Sequence, residues 1–306
     1  MLTTMKVDAI LCADLHIRAT APRCRTDNYV DTQYNKLRFI VELARKHNCP
    51  VLVAGDLGEN AQWPNWLIEW FMRTIYGTTF MVIPGQHDLP NHKFELYRKS
   101  AIGVLSTSNS INLLRNGVNR WHNLFIHAFP YGRLITGSQV SKPKGKFFVA
   151  VAHQMVIKRK PLWPGQVAPK AHALLHKYPE YDLILTGDNH NPFTYKMDGR
   201  WLVNPGSMTR HKADQIKHKP RVYLWYAKSR HIERIYLPIE NNVIDRTHID
   251  VIKIKKERMQ DFTDKLSNEV DYTNSFKLNV KKQLRESKVR PLTKKKIKAA
   301  VGGTHE

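Results

Sequence analysis

The feature of the sequence that most restricts its fold occurs five times: a short apolar run ends in a polar cluster containing aspartate or histidine. The five segments read AILCADLH (9–16), VLVAGD (51–56), MVIPGQHD (81–88), VAVAHQ (149–154) and LILTGDNH (183–190). Short apolar runs bounded by turn residues are typical of buried strands. In an open α/β sheet the loops at the carboxyl ends of the strands share one edge, so we expect the five polar clusters to converge there.

The order of the predicted elements indicates an α/β protein. Two segments with apolar residues at helical spacing, 31–48 and 65–77, lie between the first three predicted strands. In the first of these helices the apolar positions are Leu37, Ile40, Val41 and Ala44. Strand–helix–strand order favours right-handed crossovers in a parallel or mixed sheet. After Asn109 helices are few, and six apolar segments between 124 and 239 predict a second sheet stacked on the first. The predicted fold class is therefore α/β, a two-sheet sandwich flanked by helices.

The polar clusters indicate the chemistry of a metal site. A single Asp or His after a strand is more often a turn residue, but five such clusters together offer carboxylates, imidazoles and one carboxamide. That set of donors suits two divalent ions such as Mn²⁺ or Fe²⁺ and does not suit a thiolate-bound structural zinc. Two ions about 4 Å apart activate a water molecule and stabilise a phosphoryl displacement. The sequence contains no G-x-x-x-x-G-K-[ST] loop, so an ATPase activity would have to come from another chain.

The clusters also match a family pattern. The elements D-x-H, G-D, G-N-H-[DE], a single H and G-H-x-H are the signature of calcineurin-like metallophosphoesterases, which this sequence resembles. Here they read Asp14/His16, Gly55-Asp56, Gly85-Gln86-His87-Asp88, His153 and Gly187-Asp188-Asn189-His190. With HAFPYG (127–132) and NPGSMTR (204–210), roughly residues 5–240 look most similar to the SbcD-type nuclease subunit of double-strand-break repair. This resemblance implies the two-sheet sandwich with metals at the strand ends and hydrolysis of phosphodiester bonds in DNA.

The resemblance also implies a role for each residue of the pattern. One ion would be held by Asp14, His16 and His190, Asp56 would bridge both ions, and the second ion would be held by Gln86, His153 and Asp188. His87 would act on the scissile phosphate, and Asp88 would orient His87 through a hydrogen bond.

Two of these positions differ from the family pattern, and both serve the second ion. Gln86 replaces the family's Asn, and Asp188 replaces its first His. The change at 188 puts an oxygen donor in place of a nitrogen donor in the second site. This favours Mn²⁺, with Mg²⁺ or Fe²⁺ as alternatives. A weak or empty second site is the rival interpretation. We favour an active centre because the ligands of the first ion, Asp56 and His87 are all present.

Charge indicates a polyanionic partner. The 306 residues include 49 Lys and Arg against 26 Asp and Glu, a net charge of +23. Such an excess favours nucleic acid, and we expect DNA, with no membrane partner. No run reaches the length of a membrane span, and the first residues lack a signal-peptide pattern, so we expect neither feature. Three cysteines do not supply a disulfide framework, so we expect the reducing cytoplasm, with nucleoid association as an option. For a viral protein the compartment would be the cytoplasm of the infected host.

A change in composition near residue 245 divides the chain into a metallophosphoesterase domain, 1–244, and a basic C-terminal extension, 245–306. Apolar residues recur at helical intervals in the extension, at Phe262, Leu266, Val270, Phe276, Val280 and Leu284. A small helical appendage that contacts DNA or a partner is one interpretation, and a solvated tail is the other. The predicted DNA contacts are Arg18, Lys281, Lys282, Lys294, Lys295 and Lys296. The resemblance adds an SbcC-like ATPase subunit as a partner, and a homodimer stays open.

These observations predict a metal-dependent DNA exonuclease or endonuclease acting in repair, recombination or replication. Two alternatives stay open: a phosphatase or phosphodiesterase acting on small molecules or proteins, and a catalytically silent DNA-end-binding protein. Sensitivity of the activity to salt would separate the first alternative from a nuclease, and metal content would identify the second.

Overall fold

The structure, a computed structural model, describes residues 6–247, 257–264 and 276–302. The chain forms two compact units, Met1–Asp245 and Arg246–Glu306. The strands described in the first unit are β1 (Ala9–Cys12), β2 (Val51–Ala54), β3 (Phe80–Ile83), β4 (Asn112–Leu113), β5 (Gly117–Trp121), β6 (Leu124–Phe129), β7 (Phe147–Ala152), β8 (Leu183–Thr186), β9 (Phe193–Met197), β10 (Arg200–Asn204), β11 (Arg221–Tyr226) and β12 (His231–Tyr236). Its α-helices are α1 (Tyr29–His47), α2 (Asn65–Ile75), α3 (Ala101–Thr107) and α4 (Ala171–Lys177), with 3₁₀ helices at Pro90–His92, Phe94–Lys99 and Ala213–Lys217.

The strands form two sheets of six. The first has the order β12-β11-β1-β2-β3-β4 and the second the order β5-β6-β7-β8-β10-β9. The central pairs β1–β2, β2–β3, β6–β7 and β7–β8 are all parallel. The parallel centre places the carboxyl ends of β1, β2 and β3 along one edge of the first sheet, and those of β7 and β8 along one edge of the second. The predicted α/β sandwich of two mixed sheets flanked by helices is confirmed.

The sequence prediction was wrong about the last two strands. We expected the six apolar segments between 124 and 239 to build the second sheet, but two of them, β11 and β12, belong to the first, where β11 pairs antiparallel with β1. The apolar pattern of a strand shows that it is buried and does not show which neighbour it pairs with. The register Ile10↔Leu224 therefore could not be predicted from the pattern alone.

The central strands are apolar on both faces because each sheet is covered on both sides. Between the sheets lies a core that includes Leu11, Leu52, Ile126, Val151 and Tyr223. The outer face of the first sheet packs against α1 and α2, and that of the second sheet packs against α4. All four residues of β1, for example, are buried, as is usual for parallel strands covered on both faces.

Helix α1 has a capping residue at each end and apolar residues on the side that packs against the sheet. The side chain of Asn28 accepts the backbone N–H of Asp31 at its start, and Asn48 adopts the left-handed conformation at its end. The predicted inward positions Leu37, Ile40, Val41 and Ala44 are all buried. Along the described part of the chain, none of the helices is long and apolar enough to cross a membrane.

The C-terminal unit is mostly helical where it is described. Residues 257–264, Phe276–Glu286 and Pro291–Gly302 are helices, and Val280 and Leu284 are buried. The predicted apolar positions Leu266 and Val270 lie outside the described residues.

Candidate metal centre

The loops that leave β1, β2, β3, β7 and β8 carry all of the predicted metal ligands, and the structure brings them together. The backbone N–H of Asp188, after β8, donates to Oδ1 of Asp14, after β1, at 3.0 Å. The backbone N–H of His87, after β3, donates to Oδ1 of Asp56, after β2, at 2.9 Å. Hydrogen bonds therefore join the loops of the two sheets into one site.

The backbone at these ligands is in an uncommon conformation. Asp14, His16, Asp56 and Asp188 have φ values of 50°, 48°, 49° and 69°, in the left-handed region that non-glycine residues seldom adopt. Such conformations concentrate at functional sites, where the surrounding structure holds them.

The loops approach so closely that several positions tolerate only glycine, and at two of them the side chain of a predicted ligand is the neighbour. A Cβ atom on Gly85 would lie 2.1 Å from Oδ1 of Asp56, and one on Gly55 would lie 2.1 Å from Nδ1 of His153. Gly55 also has a φ of +85°. The glycines of the G-D and G-Q-H-D segments therefore allow the ligands to meet.

The first-ion pocket, defined by Asp14, His16, His190 and the shared Asp56, has two converging imidazoles. Nε2 of His16 lies 3.1 Å from Nε2 of His190 and 3.9 Å from Oδ2 of Asp56. Asp14 forms a group with Asp56 and His153 whose ligand atoms are all within 4.8 Å of one another. Asp56 therefore lies next to His16 on the one hand and next to Asp14 on the other.

The second-ion pocket, defined by Gln86, His153, Asp188 and the shared Asp56, is joined by direct side-chain contacts. Nε2 of His153 lies 2.6 Å from Oε1 of Gln86 and 3.3 Å from Oδ2 of Asp56. The Gln86 amide nitrogen donates to Oδ1 of Asp188 at 3.0 Å. The glutamine therefore connects the imidazole and the carboxylate that would share the second ion.

The donor atoms fit divalent ions. Oδ2 of Asp14 is buried and has no hydrogen-bond donor among the described residues, which is expensive for a carboxylate unless a cation is near. The groups that could hold a metal within the described ranges consist of Asp and His and contain no cysteine. Carboxylate, imidazole and carboxamide donors suit ions such as Mn²⁺, Fe²⁺ or Mg²⁺.

The pKa values of the buried Asp and His side chains show which group balances the negative charge of the carboxylates. Burial raises the pKa of Asp14 to about 7. Burial also acts to raise the pKa of Asp56, but the His153 and His16 side chains outweigh it and hold that pKa well below its usual range. For His153 burial acts to lower the pKa, and the carboxylates of Asp56 and Asp14 raise it to about 10. The protonated imidazole of His153 thus supplies a positive charge that a bound ion would replace.

His87 lies against this centre. Its ring centroid is 5.1 Å from that of His16, and its Nδ1 lies 2.8 Å from the carbonyl oxygen of Glu59. Because a carbonyl oxygen can only accept, Nδ1 carries the proton, and Nε2 is left to exchange a proton with a substrate.

The Asp88 carboxylate makes no hydrogen bond to His87 in the structure, so its expected role in orienting His87 stays a prediction. The Asp88 carboxylate is buried and accepts the backbone N–H groups of Leu57 at 3.2 Å, Gly58 at 2.9 Å and Gly85 at 2.9 Å. It therefore fixes the loops after β2 and β3 against each other. Asp88 follows His87 in the chain, but its side chain points into the backbone of the neighbouring loop, and sequence adjacency does not reveal this.

Sequence reasoning missed two residues at the centre, Glu59 and His211. The Oε2 atom of Glu59 lies 3.1 Å from Nδ1 of His16, so Glu59 contacts a predicted ligand with its side chain and His87 with its carbonyl group. His211 forms a group with His16 and His190. In the sequence, Glu59 follows Asp56 by three residues and His211 directly follows NPGSMTR. Their closeness to these recognised segments is the signal that could have identified them.

The predicted DNA-contacting residues fall in two places. Arg18 lies beside the centre, with Nη1 at 3.3 Å from Oε1 of Glu59. The predicted lysines lie on two helices of the C-terminal unit: Lys281 and Lys282 on Phe276–Glu286, and Lys294, Lys295 and Lys296 on Pro291–Gly302.

A two-sheet sandwich with Asp and His ligands at its strand ends defines the class of metal-dependent phosphoester hydrolases. The chain belongs to the calcineurin-like phosphoesterase family, whose model matches residues 9–192. That span contains all five polar loops, and it ends just after His190. The family binds two divalent metal ions and hydrolyses phosphoesters, so the chain is a metallophosphoesterase.

Solved structures show similarity at low sequence identity. The TT1561 protein of Thermus thermophilus is 13% identical with a TM-score of 0.47, over 76% of this chain and 100% of that one. A novel archaeal phosphodiesterase is 12% identical with a TM-score of 0.42, over 75% and 99%. A putative 5'-nucleotidase from Staphylococcus aureus is 12% identical with a TM-score of 0.45, over 78% and 54%. Comparison with curated proteins finds no significant match.

Proposed function

We propose that this metallophosphoesterase is a DNA nuclease that hydrolyses phosphodiester bonds as an exonuclease or endonuclease in DNA repair, recombination or replication. The family supplies the hydrolytic centre, and the resemblance of the motifs to the SbcD type supports DNA as the substrate.

The observation that carries the choice of DNA is the charge of the first unit. Residues 1–245 contain 33 Lys and Arg against 18 Asp and Glu, while residues 246–306 contain 16 against 8. The basic excess therefore belongs to the unit that holds the metal centre as well as to the extension. A small phosphoester substrate does not need a long basic surface, whereas a polynucleotide is bound through many phosphates.

The residues at the centre have distinct tasks in this proposal. Asp14, His16 and His190 would hold one ion, Gln86, His153 and Asp188 would hold the other, and Asp56 would contact both. When bound, the two ions supply an activated water molecule and stabilise charge on the phosphoryl oxygens.

His87 is the group placed to act on the substrate. Its Nδ1 is held by the Glu59 carbonyl and its backbone N–H by Asp56, so the ring is fixed before the substrate arrives. In the imidazolium form Nε2 donates a hydrogen bond to the phosphoryl oxygens and a proton to the leaving oxygen. Arg18, next to Glu59, is available to pair with a phosphate of the bound strand.

We also propose that the last two described helices, Phe276–Glu286 and Pro291–Gly302, contact DNA or an SbcC-like ATPase. A cleft between these helices is lined by the apolar residues Val280, Leu284 and Val301 and by the basic residues Lys281, Arg285, Lys294 and Lys298. An apolar floor with a basic rim suits an acidic amphipathic helix or the phosphates of DNA.

The experiment compares two variants on labelled single- and double-stranded DNA, with Mn²⁺, Mg²⁺ or a chelator. His87→Ala should abolish cleavage while bound metal stays near the wild-type level, because His87 acts on the phosphate. Asp56→Ala should lose metal and cleavage together, because both ions share this carboxylate. Turnover of a small phosphodiester by a wild-type protein that leaves DNA intact under every metal condition would refute the nuclease and favour a small-molecule phosphodiesterase.

A further inference from the structure

The first-ion pocket contains a third imidazole, that of His211. Its ring centroid lies 5.0 Å from that of His16 and 4.8 Å from that of His190. One nitrogen from each of the three rings lies within 4.8 Å of the others. Three imidazoles at this spacing form a nitrogen-rich cluster on one side of the centre.

The loop that carries His211 is held firmly at this place. The backbone N–H of His211 donates to Oε1 of Gln215 at 2.8 Å, and its carbonyl oxygen accepts from the Cys24 thiol at 3.4 Å. Nearby in the same loop, the backbone N–H of Met208 donates to the carbonyl oxygen of Asp14 at 3.1 Å. The loop is therefore attached to a metal-ligand residue by its backbone.

One ring nitrogen of His211 makes no hydrogen bond with the described residues. Its Nδ1 is buried and has no hydrogen-bond partner among the residues that the structure describes. Most buried polar side-chain atoms in proteins are satisfied, so an exception next to two metal-binding imidazoles needs an explanation. A bound ion supplies one, because a neutral imidazole nitrogen is a good ligand for borderline divalent ions.

We propose that His211 is an additional ligand of the first ion, an inference that rests on the proposed metal-dependent function. The first ion would then have three imidazole nitrogens, from His16, His190 and His211, beside the carboxylates of Asp14 and Asp56. The second ion would have one imidazole and three oxygen donors.

This arrangement makes the two sites chemically unequal. Nitrogen donors favour borderline ions such as Fe²⁺, Co²⁺ or Zn²⁺, whereas carboxylate and carbonyl oxygens favour Mg²⁺ and Mn²⁺. The second site lost a nitrogen when Asp188 took the place of histidine, while His211 adds one to the first. The centre is therefore suited to hold two different ions.

The test measures Co²⁺ binding to the metal-free full-length protein by calorimetry and visible absorption. His211→Phe keeps the volume of the ring and removes its nitrogens. His47→Phe is the matched control. His47 is the last residue of α1, and it precedes the amino end of β2, whereas the metal centre lies at the carboxyl ends of the strands. Thermal unfolding of each metal-free protein shows that it is folded, and His211→Gln provides a second variant if the phenylalanine disrupts folding.

The expected result is two Co²⁺ ions on the wild type and on His47→Phe, with one ion bound at least about tenfold more weakly by His211→Phe and an altered cobalt spectrum. Equal affinities and spectra in folded His211 variants would overturn the proposal, as would a loss of cleavage with unchanged Co²⁺ binding. A wild-type protein that binds two ions but does not cut DNA would refute the nuclease function and leave this inference standing.

Discussion

The two ion pockets share Asp56 but differ in what their side chains do without an ion. In the second-ion pocket the groups satisfy one another: His153 contacts Gln86 at 2.6 Å, and Gln86 donates to Asp188 at 3.0 Å. In the first-ion pocket Nε2 of His16 and Nε2 of His190 share a hydrogen bond at 3.1 Å, but Oδ2 of Asp14 has no donor among the described residues.

This difference indicates an order of binding. An ion that enters the first-ion pocket replaces one hydrogen bond between two imidazoles and satisfies the unpaired Oδ2 of Asp14, whereas an ion in the second must replace both hydrogen bonds made by Gln86. A buried group without a partner raises the free energy of the ion-free protein, and a satisfied pair lowers it. We therefore expect the first-ion pocket to fill at lower metal concentration. The replacements at 86 and 188 would weaken the second site without abolishing it.

The largest effect should come from changing Asp188. Asp188→Asn removes the negative charge of the second-ion pocket but keeps the side-chain shape and tolerates the left-handed backbone, which alanine does less well. We expect binding of the second ion and cleavage at limiting Mn²⁺ to fall toward the upper end of a roughly 10–100-fold range. Calorimetric titration with Mn²⁺ measures the two sites separately.

A second substitution at the same position sharpens this test. Asp188→His restores the nitrogen donor of the family pattern, so it should shift the preference of the second site from Mg²⁺ toward Co²⁺ or Zn²⁺. If Asp188→Asn leaves two ions bound with wild-type affinity, Asp188 is not a ligand, and the assignment of the second-ion pocket is wrong.

The next effect concerns Glu59, which acts on the first-ion pocket. Its carboxylate contacts Nδ1 of His16, which leaves Nε2 of that ring to bind an ion. Glu59→Gln keeps the backbone carbonyl that holds His87 but removes the charge, so first-ion affinity should fall about tenfold while the second site is unchanged.

The control for this variant is Glu69→Gln, an exposed glutamate on α2 that pairs with Arg73. High metal concentration should rescue cleavage by Glu59→Gln, since the lost contact supports a ligand. Cleavage that stays low at saturating Mn²⁺ would instead place Glu59 in the chemical step, through His87.

Most of this centre was predictable because each ligand lies next to a buried strand in the sequence. Asp14, Asp56 and His153 follow apolar runs directly, and parallel strands place such positions at one edge. Glu59 and His211 were missed because loop conformation alone brings them to the centre. The return of β11 to the first sheet and the backbone contacts of Asp88 depend on pairings between distant segments, which a local pattern does not encode.

The smallest effect concerns the basic charge of the two units. A triple glutamine variant at Lys294, Lys295 and Lys296 alters the C-terminal unit. The matched control replaces Lys158, Arg159 and Lys160, an exposed basic triplet of the first unit. Each variant removes three positive charges and no predicted metal ligand, so both should bind metal and hydrolyse a small phosphodiester as the wild type does.

DNA binding measured at several salt concentrations separates the two units. Every phosphate contact that is lost should reduce the slope of log K against log salt by about 0.9 on duplex DNA. If the C-terminal lysines contact DNA as proposed, their variant should lower the slope by about 1 to 3 units and the affinity only modestly at low salt. A wild-type slope for the 294–296 variant, with a reduced slope for the 158–160 variant, would contradict the proposal. The phosphates would then be bound by the first unit, whose own excess of basic residues is sufficient for this role.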